Sequence, residues 1–205
     1  MSGLGKAERL LQLAKEQSSD KRRQLLREIT DIFLISPESY TASEQEHFGE
    51  IISHVAQAAD AQARAYLAER LADVKVAPRK IVKQLINDTI GIARPLLERN
   101  PSIVDSDLIE VIRSKNVAYQ ASIARRNKLD ASVSDALVDN GAADAVRVLI
   151  ENETAHIAPA TMEKAVCRSE REAVLQGPLV ARSDVPVELL QDMFWFVSPD
   201  VAPRI

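Results

Sequence analysis

A single cysteine, Cys167, stands in 205 residues, which excludes an intramolecular disulfide and any cysteine-built zinc site. Its neighbours Met162, Ala165 and Val166 predict a buried, inert thiol on a helix. Only six glycines occur, too few to close many hairpins through left-handed turns. Aromatics make up just 4% of the chain, and the apolar content is carried by Ala, Leu, Ile and Val. Sheets favour aromatic and β-branched residues, so this balance points to an all-α protein. No stretch approaches the ~18 apolar residues of a membrane span, and residues 1–6 do not begin an apolar leader. A cytoplasmic, bacterial-style protein with no membrane association is the expectation. Catalytic signatures are missing too: there is no Gly-x-Ser-x-Gly elbow and no phosphate-cradling glycine loop. Neither enzymatic activity nor a cofactor is expected.

What is present is a degenerate repeat. It reads Tyr66-Leu67-Ala68-Glu69-Arg70, Pro95-Leu96-Leu97-Glu98-Arg99, Ser122-Ile123-Ala124-Arg125-Arg126, Val148-Leu149-Ile150-Glu151-Asn152 and Pro178-Leu179-Val180-Ala181-Arg182. Self-similarity at a period of roughly 20–50 residues marks stacked-repeat architectures. The spacing predicts first helices over 60–72, 91–99, 117–126, 142–152 and 171–182. Their partners fall over 78–87, 105–114, 130–139, 159–168 and 186–197. Pro78, Pro159 and Pro186 fit the first helical position, and Asp105 and Asp130 fit caps. Such short helices cannot bury an apolar face alone, so neighbours must cover it. The fold expected is a right-handed α-α superhelix of the HEAT or armadillo kind, with about five helix pairs. Arg70, Arg99, Arg126 and Arg182 would end first helices as a ladder that satisfies carbonyls and acids. Pro95 and Pro178 share one repeat position, either as kinks or as helix starts.

Residues 1–59 read differently, as a helical cap continuous with the repeats over 60–205. Leu4, Leu10, Leu11 and Leu13 suggest a short helix. A second follows caps at Ser18, Ser19 or Asp20, with Leu25, Leu26, Ile29, Ile32 and Phe33 on one face. After the break at Ser36-Pro37, a third starts near Thr41 or Ser43, with an apolar stripe of Phe48, Ile51, Ile52, Val55 and Ala59. His47, Glu50 and His54 line one flank of that helix. A Glu-x-x-His pair serves di-iron bundles only when it occurs twice among further carboxylates. The second copy is missing, so no metal is expected.

The net charge of −4 is unevenly laid out, with a basic middle followed by an acidic C-terminal part. Arg79, Lys80 and Lys83 flank the helix that Pro78 opens, where cations oppose the dipole but free amides attract anions. Arg113, Lys115, Arg125, Arg126 and Lys128 read as a second basic cluster at a repeat junction. Both sets are candidates for binding an anion or an acidic partner segment, against the plainer reading of hydrated surface. Met193, Phe194, Trp195 and Phe196 concentrate the aromatics near the end of the chain, where a terminal repeat should present a polar face. They either fold back into the last repeat or meet a partner: more of a longer protein, or a second copy in a homodimer.

Leu85-Ile86-Asn87-Asp88, Ile92-Ala93-Arg94-Pro95-Leu96-Leu97 and Asp105-Ser106-Asp107-Leu108-Ile109 occur in an order that resembles a bacterial family, domain of unknown function 2336. Ile123-Ala124-Arg125-Arg126, Val133-Ser134-Asp135-Ala136-Leu137-Val138 and Leu149-Ile150-Glu151-Asn152 extend the likeness, over about residues 60–197. The resemblance implies an alphaproteobacterial source and HEAT-type repeats, and it transfers no catalytic residue. It also implies that the chain belongs to a longer protein. The function expected is therefore a non-enzymatic scaffold that binds an unidentified protein segment along the second helices. The alternative is nucleic-acid binding through the basic middle, which the overall acidic balance disfavours.

Overall fold

The computed structural model describes residues 19–204, and these form twelve α-helices and three 3-10 turns without a strand. The helix expected near Leu4–Leu13 lies outside the described residues. The chain divides into two compact units, Met1–Ile103 and Val104–Ile205.

In the first unit, α1 (Ser19–Leu34) and α2 (Ala42–Gln57) precede α3 (Ala61–Leu71), α4 (Arg79–Ile86) and α5 (Ile90–Arg99). Leu25, Leu26, Ile29 and Phe33 are buried on α1, as their three-and-four spacing requires. Pro37 ends that segment, and its 3-10 turn leads to Thr41. Thr41 caps α2 through a box with Glu44: the Thr41 hydroxyl accepts from the Glu44 amide, and the Glu44 carboxylate accepts from the Thr41 amide. Phe33, Tyr40 and Phe48 join the two helices through ring contacts of 4.8–5.7 Å. Helix α3 packs against both α1 and α5, while α2 packs against α4, giving two interleaved rows. Burial of Leu67, Leu71, Ile81, Leu85, Leu96 and Leu97 holds the rows together. Each such side chain contributes roughly 1.5–3 kcal/mol. Ile51 departs from its expected place in the α2 stripe: it is 51% exposed, and the buried face runs through Gly49, Ile52, Ser53, Val55 and Ala56.

The second unit continues the alternation. It holds α6 (Asp105–Ser114), α7 (Val117–Ala124), α8 (Ala131–Asn140), α9 (Ala143–Glu151), α10 (Pro159–Ser169), α11 (Gln176–Ala181) and α12 (Val187–Met193). Helix α9 packs against α7 and α11; α8 packs against α6 and α10, and α10 against α12. The expected helices are thus found to within a few residues, except that the 171–182 element is a 3-10 turn (Ala173–Leu175) running into six residues of α-helix. Pro178 therefore sits in a first turn, where its missing N–H costs nothing, whereas Pro95 lies inside α5. Asp130 caps α8, but Asp105 is the first residue of α6 after Val104, where its charge faces the positive helix end. Pro159 occupies the first helical position of α10, while Pro78 and Pro186 stand one residue earlier, as N-caps. Cys167 corrects the expectation of a buried thiol: it is exposed on α10, between the buried Val166 and the half-buried Arg168.

Polar side chains tie successive helices at repeating positions. Buried Asn100, the C-cap of α5, donates to the Leu71 carbonyl at the end of α3 at 2.6 Å, while its own oxygen accepts from Ser102. Asn152, the C-cap of α9, donates to Ala124 and Arg126 at the end of α7, and its oxygen accepts from Thr154. Arg182, the C-cap of α11, donates to the carbonyls of Ile150, Asn152 and Ala155 and pairs with Asp184 two residues on. Each satisfies carbonyls that a helix end leaves without partners. The ladder is therefore mixed: Asn152 and Arg182 stand at the expected repeat positions, and Asn100 stands one residue beyond its own. Asn100, not Arg99, matches Asn152 and Arg182. Arg99 pairs with Glu69 and Asp73, and Arg70 with Asp31 and the Tyr66 hydroxyl, on the surface.

Candidate functional site

Three places hold the residues that the sequence nominates. The first is a cleft of about 560 Å³ between α2 and α4, lined by Gln45, Glu46 and Glu50 on one side and Arg79, Lys80 and Lys83 on the other. Its floor is a close approach of two small surfaces: a Cβ on Gly49 would come within 2.9 Å of the Pro78 Cβ. Pro78 opens α4 without a side-chain cap, so the first-turn amides face the same end as the cations. The acids opposite change the chemistry. Lys80 Nζ lies 3.5 Å from Glu50 Oε1, and Glu46 stands on the same wall. The cleft presents both signs of charge rather than a cationic trough. The sequence points to Glu50 only as part of a Glu-x-x-His pattern and does not single out Gly49 or Glu46; a glycine in mid-helix beside an apolar stripe is the available signal.

The second is the basic group of α6 and α7, which the structure splits. Arg113 lies in the last turn of α6, and Lys115 just after it sits 5.5 Å above the Tyr119 ring. Arg125, Arg126 and Lys128 follow the far end of α7. The eight residues of α7 put roughly 12 Å of rise between the two sets. Arg125 is exposed beside Arg147 and Glu151, which pair with each other at 2.7 Å. Burial pushes the Arg126 guanidinium down from its ordinary value, and nearby Asp105 partly offsets this. Lys128 adopts a left-handed φ of 55°, and its amide donates to Thr154 Oγ1 at 3.3 Å. Lys128 thus has a structural duty in its loop. Arg113 and Lys115 thus stand before α7, and Arg125, Arg126 and Lys128 after it.

The third is the end of α12. Met193 is fully buried and belongs to the core, which removes it from the expected interface. Phe194 is 56% exposed and Trp195 86% exposed; their rings meet edge to face at 6.0 Å. Phe196 is half-buried. Val187, 63% exposed at the start of the same helix, lies two turns before Phe194 and extends the apolar stripe. Nothing in the residue pattern around Val187 singles it out.

Among the described residues no three His, Cys, Asp or Glu side chains stand together so as to hold a metal ion. Burial alone would raise the Asp88 carboxyl, but hydrogen bonds from Arg64 and the Thr89 amide outweigh it and hold it below the ordinary value. No helix among the described residues is long and apolar enough to cross a membrane.

The described residues form an all-α protein built from short helices, with charged and aromatic surfaces. The chain belongs to a family of uncharacterised proteins conserved in bacteria, domain of unknown function 2336, whose sequence model matches residues 92–205. No curated protein and no solved structure matches it. The first helix pair, α3 and α4, falls outside the matched residues, although the motif likeness read from the sequence begins near residue 60.

Proposed function

We propose that this protein is a non-enzymatic scaffold of HEAT-type helical repeats that binds a protein partner in the cytoplasm. The observation that carries the reading is Trp195, the most exposed large apolar side chain described, set against Phe194 in the turn that follows α12. Exposed aromatic pairs of this kind anchor protein interfaces, because a large rigid side chain gains much area at low entropic cost. The side-chain ladder of Asn100, Asn152 and Arg182, each reaching back about one repeat, supports the stacked-repeat architecture. Nucleic-acid binding is the weaker alternative. A phosphate backbone needs a continuous cationic track, whereas the α2–α4 cleft opposes its cations with Glu46 and Glu50, and the α6–α7 cations are divided.

The test is affinity capture from the source organism with the wild-type chain and with Trp195→Ser, each with and without nuclease, read by mass spectrometry. A stoichiometric protein retained by wild type and lost with Trp195→Ser is the expected result. Recovery of nucleic acid alone would sink the scaffold reading.

A further inference from the structure

We infer that the α12 surface docks a cationic segment of its partner, with an arginine or lysine seated on Trp195 between Glu188 and Asp192; this rests on the scaffold reading above. Glu188 and Asp192 are four residues apart on α12, and Trp195 follows three residues later, its amide donating to the Asp192 carbonyl at 3.4 Å. That spacing places two carboxylates and the indole along one flank. Val187, Gln191 and Phe194 form the adjoining flank at the same intervals, so two exposed apolar side chains, with Gln191 between them, run beside the acidic-aromatic flank.

Both carboxylates are exposed, and among the described residues neither is paired with a cation. Asp184, by contrast, is already engaged by the buried Arg182. Asp200 beyond the turn adds a further negative charge, its carboxyl held below the ordinary value by the Ser198 hydroxyl. From Ser183 to Arg204 the sole basic residue is Arg204, against four acids, Asp184, Glu188, Asp192 and Asp200. An indole face flanked by carboxylates is chemistry for a guanidinium or ammonium, through cation–π attraction and charge-assisted hydrogen bonds. The flanking Val187 and Phe194 call for an apolar side chain one helical turn away on the same segment. The occupant that fits is an amphipathic, basic stretch of another protein. The same acids repel an anionic lipid surface or a nucleic-acid backbone.

Trp195 is the only tryptophan, so its emission reports the site directly. The probe is a short synthetic helix carrying Leu and Arg at three-and-four spacing, with a control in which each Arg is Glu. The expected result is a saturable blue shift with the Arg peptide alone, weakening as salt rises from about 0.05 M to about 0.5 M. Glu188→Gln with Asp192→Asn should raise Kd about tenfold, a loss of about 1.4 kcal/mol, with unchanged far-ultraviolet circular dichroism. Equal binding of the Glu peptide, or an unchanged Kd in the double variant, would overturn the proposal. So would a blue shift with neutral phosphatidylcholine vesicles in place of the peptide, or a concentration-dependent dimer abolished by Trp195→Ser. A partner captured through Trp195 whose binding segment is acidic defeats this inference but leaves the scaffold; peptide binding without any Trp195-dependent capture defeats the scaffold reading instead.

Discussion

Asn152 donates its side-chain amide to the carbonyl of Ala124 at 2.8 Å, joining the end of α9 to the end of α7 twenty-eight residues earlier. Asn100 does the same for Leu71, and Arg182 for Ile150. These bonds replace the glycine caps that a chain with six glycines mostly lacks. Asn100→Leu or Asn152→Leu leaves helix-end carbonyls unsatisfied, and each is expected to cost about 1–3 kcal/mol by urea denaturation. Arg99→Leu removes only surface ion pairs and should cost at most about 1 kcal/mol.

A second set of clamps recurs at an interval of two repeats. Arg64, Gln120 and Gln176 stand fifty-six residues apart. Gln120 donates to Ile112 and accepts from the Ala142 amide; Gln176 donates to Ser169 and accepts from the Ser198 amide. Arg64 donates to Ala59 and to Asp88. Gln120→Leu and Gln176→Leu each strand one buried and one part-buried backbone group, so both should lower the urea midpoint, by about 1–3 kcal/mol in stability.

Two glycines on helices should respond in opposite directions. Gly49→Ala drives a methyl into the Pro78 ring at 2.9 Å and is expected to destabilise by about 1–3 kcal/mol through overpacking. Gly91→Ala meets nothing within 4 Å and should stabilise by up to about 1 kcal/mol, since alanine loses less backbone entropy. Thermal denaturation of the pair reads both signs.

The Arg64–Asp88 pair predicts an acid-sensitive term. Its folded carboxyl is harder to protonate than the unfolded one, so the pair stabilises fully above the ordinary aspartate value of ~3.9. That contribution is lost as pH falls through the lower folded value. Asp88→Asn should weaken the protein at neutral pH and flatten the dependence of the urea midpoint on pH below about 4.

Cys167 offers a direct check on burial. Because its side chain is exposed, a thiol reagent should label the folded protein to completion without denaturant. Labelling that requires unfolding would contradict the placement of α10.

Much of this was legible in the residue pattern. Helix class, number and approximate bounds follow from the three-and-four spacing of Leu, Ile, Val and Ala, and from turn residues such as Asn140-Gly141. Asp60, Asn116 and Asp130 cap through their own side chains, a local effect that needs no tertiary information. What periodicity could not decide was which flank of a stripe a neighbour would cover. Ile51 and Met193 both sit among apolar residues, yet one is exposed and the other buried. Cys167 fails in the same way, because one helical step of 100° separates a core position from a surface one.

The sequence by itself determined that this chain forms short helices that must be covered by one another, because apolar spacing and turn chemistry are local properties of the chain. Only the tertiary structure decided the register of the ladder, with Asn100 rather than Arg99 in line with Asn152, because that choice depends on where the preceding helix presents its last carbonyls. It likewise decided the meaning of the charges. The cations nominated as one basic middle stand at opposite ends of α7 or are faced by Glu46 and Glu50, and the large apolar side chain left most open among the described residues is Trp195. Charge along a sequence adds up by segment, whereas charge on a surface is set by which helices stand opposite.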